Sequence, residues 1–175
     1  MTRYNYWTAA LLGLSGMALS TLVPGGPIET RSFAHINPFT LGAFNTFLTT
    51  LCIGSLLLVY FVWKAERWAI IAAACFGLSY LGVYGLDLAQ IFPVSPDAMP
   101  PALLIIEVWG AIAAVPLTLM AMQALRAANH ETPATAPPVH LKTSPFSLIS
   151  TTTIIGVILI GLGIIVFATR SAMGI

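Results

Sequence analysis

Five long apolar runs dominate the chain, at 6–23, 39–63, 68–92, 102–125 and 146–169. Each is about long enough to cross a bilayer as a helix, which takes roughly 20 residues. Lys64, Glu66 and Arg67 leave so short a polar turn between the second and third runs that these two helices must return side by side. Asn37-Pro38 predicts a helix start, with Asn as N-cap and Pro in the first helical position. Ala9, Gly13, Gly16 and Ser20 recur at helical spacing on the first run, where small residues let a second helix approach closely. Pro116 should kink the fourth run and free a carbonyl. The fifth run is almost entirely Ile, Val, Leu and Gly, without an acid, which predicts a helix facing lipid on most sides.

The fold these elements predict is an all-α integral membrane protein. An antiparallel four-helix transmembrane bundle occupies 1–128, with an outer loop at 24–38. A polar linker follows at 129–145, and a fifth, peripheral transmembrane helix with a short tail at 146–175. Arg3 ahead of the first run would also suit a secretory signal peptide. The run lacks a small-x-small cleavage site followed by a polar mature start, so a retained helix is expected.

Composition agrees. Hydrophobic residues make up 58% of the chain and charged residues 7%, with a mean hydropathy of +0.91, against about 25% charged in soluble domains. So few charges cannot cover a water-soluble surface, and the partner for most of it is the lipid bilayer. A net charge of +1 gives no reason to expect nucleic acid. Cys52 and Cys75 lie inside apolar runs with no CxxC or zinc spacing, as buried small hydrophobes do.

Charge placement sets the orientation. With the N-terminus inside, the inner side collects Arg3, Lys64, Arg67, Arg126 and Lys142, and the outer side only Arg31 and Arg170. That is the direction of the positive-inside rule, and it places the C-terminus outside, in a bacterial inner membrane or its equivalent. Asp87 then lies about five residues, or roughly 7–8 Å of helix rise, from the outer end of the third run. Glu107 and Asn45 sit at similar depth on the fourth and second.

All three lie beneath the loop at 24–38, PGGPIETRSFAHINP, which brings Glu29, Arg31 and His35 together outside any hydrophobic run. Tyr80, Tyr84, Asp87 and Ile91 share a face of the third helix. Glu107 begins a stripe of small residues, Gly110, Ala111 and Ala114, on the fourth. The candidate ligand-binding set is therefore Glu29, Arg31, His35, Asn45, Tyr84, Asp87 and Glu107. Two carboxylates in a low-dielectric pocket cannot comfortably both ionise, and Arg31 or His35 is the natural balancing cation.

Plainer roles exist for each residue. Asp87 and Glu107 can snorkel to headgroup water, and Glu29 with Arg31 can be an exposed ion pair worth about 0–1 kcal/mol. His35 can simply fix the loop, Asn45 can join helices, and the tyrosines and four tryptophans can pack or form an interfacial belt.

Several chemistries are excluded. His35, His130 and His140 lie in loops rather than inside spans, where haem ligands would stand. There is no reactive cysteine pair, nucleotide loop, HExxH or serine-nucleophile elbow. No metal site is expected, and no cofactor is named by the sequence. Three readings stay open: a module binding an amphipathic ligand or lipid headgroup at the outer interface, an accessory subunit of a larger membrane complex, and an enzyme using the carboxylates and His35 as acid–base groups. The threading itself is testable. Thr135→Cys in the linker and Ser95→Cys in the loop before the fourth run should label from opposite sides of the membrane, and labelling from one side would overturn every depth argument above.

Overall fold

The computed structural model describes residues 3–130 and 151–175, and it is all-helical over them: α1 (Arg3–Ser20), α2 (Pro38–Trp63), α3 (Arg67–Leu88), α4 (Pro101–His130) and α5 (Thr151–Met173). Most of the expected linker at 129–145, and the expected start of the fifth run at 146, fall outside the described residues. Four helices are long and apolar enough to cross a membrane: Pro38–Trp63, Arg67–Leu88, Pro101–Asn129 and Thr153–Met173. α1 is not among them. Asn5, Thr8 and Ser15 interrupt its apolar run, and all three side chains are buried against its neighbours.

α1 to α4 close into a bundle in which α1 packs on α2, α3 and α4, and α3 packs on both α2 and α4. Small residues set the approach. A Cβ on Gly16 would meet Ser55 and the Cys52 carbonyl of α2, and Cys52 Sγ donates to the Gly16 carbonyl at 3.4 Å. On the α3–α4 face, Gly77 is pressed against Thr118. Pro116 lies within a continuous α4, not at a break.

α2 begins as its sequence predicts, with Asn37 Oδ1 accepting from the Phe39 N–H at 2.9 Å and Pro38 at the first position. The ends of α2 and α3 carry no glycine signal, yet both close in the same way. Ala65 (φ 59°) and Gln90 (φ 54°) adopt the left-handed conformation after the last helical turn. The following N–H groups fold back, Glu66 to Phe61 at 3.0 Å and Ile91 to Leu86 at 2.9 Å, which is the Schellman pattern. α3 consequently stops at Leu88 instead of reaching 92, and Asp87 stands in its last turn.

α5 packs on α2 alone among the helices, but it is more than a lipid-facing add-on. Its C-terminal end reaches the 24–37 loop, where the Phe33 N–H donates to the Ala172 carbonyl at 2.8 Å. Gly25, at φ 83°, lies so close to Ser171 that any side chain there would collide. One turn before the C-terminal end of α5, Thr169 Oγ1 accepts from Asn45 Nδ2 at 3.1 Å.

The outward faces of the helices are apolar, with Leu57, Ile71, Leu78, Ile105, Ile112 and Ile158 among the exposed side chains. The packing of α3 on α4 gives a direct test of the core. A Cβ on Gly110 would come within 2.5 Å of the fully buried Tyr84 ring. Gly110→Ala should therefore destabilise the protein by about 1–3 kcal/mol through overpacking, read as a lower thermal midpoint in detergent. An unchanged midpoint would mean that the Tyr84 ring is free to move aside.

Candidate functional site

The loop at 24–37 lies over the end of the bundle and is fastened there by its own polar groups. Glu29 and Arg31 are buried, at 5% and 7% exposure, so the pair is not the exposed surface bridge it could have been. Arg31 is clamped between two carboxylates. Its Nε and Nη2 edge donates to Glu29, with Nε to Oε1 at 3.0 Å and Nη2 to Oε2 at 2.6 Å. The Nη1 and Nη2 edge donates to Asp87 of α3 at 3.0 and 2.8 Å. Glu29 Oε1 also accepts the Arg31 backbone N–H at 3.0 Å. The guanidinium carbon lies 5.3 Å from the centre of the Phe33 ring, a cation–π distance. Bidentate charge-assisted contacts of this kind are the strong form of hydrogen bond, and here they tie a loop to a helix 56 residues further along the chain.

Burial alone would lower the pKa of the Arg31 guanidinium. Its hydrogen bonds to Glu29 and Asp87, together with their charges, outweigh that effect and raise it above the ordinary value. A raised pKa on a base contributes stability in full below the unfolded value and loses it only in strong alkali. Arg31 is therefore a fixed cation at every working pH.

A second clasp, from the segment between α3 and α4, holds the same loop. Asp97 Oδ2 accepts from the Ser32 N–H at 2.7 Å, and Ser95 Oγ donates to the Ser32 carbonyl at 2.9 Å. Neither residue is marked as part of the site by the sequence. The available signal was the acid and hydroxyl set among prolines in 93–101, since side chains of this type bond to nearby backbone in loops.

Asp87 and Glu107 do not snorkel. They are 8% and 3% exposed, and both line one cavity at the end of the bundle. Glu107 Oε2 has no hydrogen-bond partner among the described residues, and neither does the hydroxyl of Tyr84. Tyr80, one turn away, is satisfied by Ser55 at 2.7 Å, and its ring stacks on that of Tyr84 at 6.0 Å. Ile91, expected on the same face, lies beyond the end of α3 and is exposed.

Beside the clamp is a cavity of about 440 Å³, whose lining includes Glu29, Arg31, Asn45, Tyr84, Asp87 and Glu107. The rest of its wall is overwhelmingly apolar, contributed by the end of α1, by α2 (Phe44, Leu48) and by α5 (Ile164, Phe167). Six of the seven expected site residues thus share one cavity. His35 does not: it is exposed on the loop and absent from the lining, so among the described residues Arg31 supplies the balancing charge. The α5 wall was missed, because a helix without polar anchors reads as a lipid-facing one. Among the described residues, no group of three His, Cys, Asp or Glu side chains is arranged to hold a metal ion.

Residues 4–135 match the family model described as a domain of unknown function, DUF8051. The chain belongs to this family. The DUF8051 match covers α1 to α4 and the clamped loop, and ends before α5. No curated protein and no solved structure matches the chain.

The clamp predicts an order of stabilities. Arg31→Ala leaves Glu29 and Asp87 buried without their cation and should cost about 3–5 kcal/mol, the usual effect of breaking a buried pair from one side. Asp87→Asn keeps the shape and leaves Glu29 on the guanidinium, so it should cost clearly less. Thermal unfolding of the two variants in the same detergent measures the difference. Equal losses would mean that the loop is held by the Ser32–Asp97 clasp rather than by charge.

Proposed function

We propose that this protein is a multi-pass membrane protein, N-terminus inside, that binds an amphipathic ligand at the outer interface. The ligand's polar end lies against the Arg31 cluster and its apolar part along α2 and α5. The observation that carries this reading is the cavity itself. At about 440 Å³ it lies within the roughly 300–1,000 Å³ of sites that enclose small molecules. It also joins a mostly apolar wall to one buried group of charged and hydrogen-bonding side chains.

The contacts support the threading that the reading needs. Gly13 meets Val59 while Gly16 meets Ser55, and Gly77 meets Thr118 while Gly110 meets Tyr84. In each pair one number rises as the other falls, as for helices running in opposite directions. Tyr4, Tyr6, Trp7, Tyr60, Trp63 and Trp68 are exposed and fall at the end that carries Lys64 and Arg67, a belt suited to the inner interface. The enzyme reading loses its base, since His35 stands apart from the carboxylates. The subunit reading has no observation of its own beyond apolar outer faces that lipid would cover equally well.

The decisive experiment is native mass spectrometry of the gently solubilised full-length protein, which should show one bound small amphiphile per chain. Gly163 of α5 lines the cavity, and a Cβ there would meet nothing within 4 Å. Gly163→Phe should therefore fill the space and strip the bound mass while the protein stays monodisperse. Stoichiometric partner chains in place of a bound small molecule would overturn this reading in favour of an accessory subunit.

A further inference from the structure

Resting on that reading of the cavity, we propose that its ligand is a single-tailed amphiphile whose head group donates hydrogen bonds and carries no negative charge, a long-chain alcohol or amine.

Two independent features define the head. The first is charge. Among the described residues, Arg31 is the only basic side chain lining the cavity, and both edges of its guanidinium are already occupied, by Glu29 and by Asp87. An anionic head would have to displace a buried carboxylate from it and would then stand beside Glu29, Asp87 and Glu107 with no further cation in the cavity wall. Arg31 therefore has no free edge to offer an anionic head.

The second feature is the pair of unsatisfied groups. Among the described residues, Glu107 Oε2 and the Tyr84 hydroxyl are buried without a hydrogen-bond partner in residues that are 3% and 0% exposed, and both residues line the cavity. They come from facing positions: Tyr84 lies over Gly110, one turn along α4 from Glu107. Buried polar atoms left unpaired are costly, and a ligand that pairs both recovers that cost. A hydroxyl or amine donates to a carboxyl oxygen and can also engage a phenol, which a methyl, an ester methylene or a carboxylate cannot do at both sites. The apolar wall continues from these groups along α2 and α5, and the volume, toward the low end for small-molecule sites, suits a single tail.

The test uses the full-length protein in detergent, titrated separately with oleyl alcohol, oleylamine and oleate, with bound mass read by native mass spectrometry at neutral pH. Oleyl alcohol and oleylamine should bind at least tenfold more tightly than oleate. Tyr84→Phe should weaken the alcohol by roughly two- to tenfold, the worth of one hydrogen bond, and Glu107→Gln should weaken the amine. If alcohol and oleate bind equally and Gly163→Phe abolishes both, the head-group assignment is overturned while the cavity reading stands. If no probe binds, both fall. If alcohol binding ignores Tyr84→Phe and Glu107→Gln in folded protein, the head lies elsewhere and the assignment is wrong. Should Tyr84→Phe fail to fold, the ratio of alcohol to oleate in the unaltered protein decides alone.

Discussion

The structure depends on a charge taken out of water. A guanidinium at the edge of a helical bundle is tolerable only if its donors are satisfied and its charge is met, and Glu29 and Asp87 do both for Arg31. This is why the 24–37 loop has a defined path. Its attachment to α3 is electrostatic, and the groups are too buried for salt to screen them as it screens surface pairs. The same arrangement leaves an excess of acid over base at the cavity, which gives the site its chemical character.

The positions of the helices were largely legible from hydrophobic run length, because so apolar a chain has few other ways to satisfy its backbone. Helix ends were less so. α3 stops at Leu88 because Gln90 takes a left-handed conformation that its residue type does not announce, and α4 begins at Pro101, as the Pro100-Pro101 pair invites. The level at which Asp87 and Glu107 meet followed from counting residues in from the ends of their runs. The end of α3 fell short of that count, which leaves Asp87 in its last turn while Glu107 lies six residues into α4, yet both still line one cavity.

What the sequence could not show was which partner each polar group takes. Glu29, Arg31 and His35 are near one another in the chain, yet only the first two turn inward, and nothing in residue type distinguishes an inward arginine from an outward histidine at a spacing of four. Asn45 suits either helix packing or ligand contact by residue type; it reaches Thr169 while lining the cavity, and the partner lies 124 residues away. Contacts over such distances leave no periodic trace. The closing of the cavity by α5 is of the same kind, for a helix with an unmarked surface gives no sign of which neighbour it lies against.

That wall has a consequence for how the molecule can vary. The charged end of the cavity is built wholly from the 24–37 loop, α3 and α4, whereas one apolar side comes from α5, which touches no helix but α2 and lies beyond the region matched by the family. Substitutions at Ile164, Phe167 or Ala168 reshape the space available to a tail without altering any contact of Arg31. The part of the molecule that fixes what a head group must be and the part that fixes how long or branched its tail can be are thus separate stretches of sequence, free to change independently.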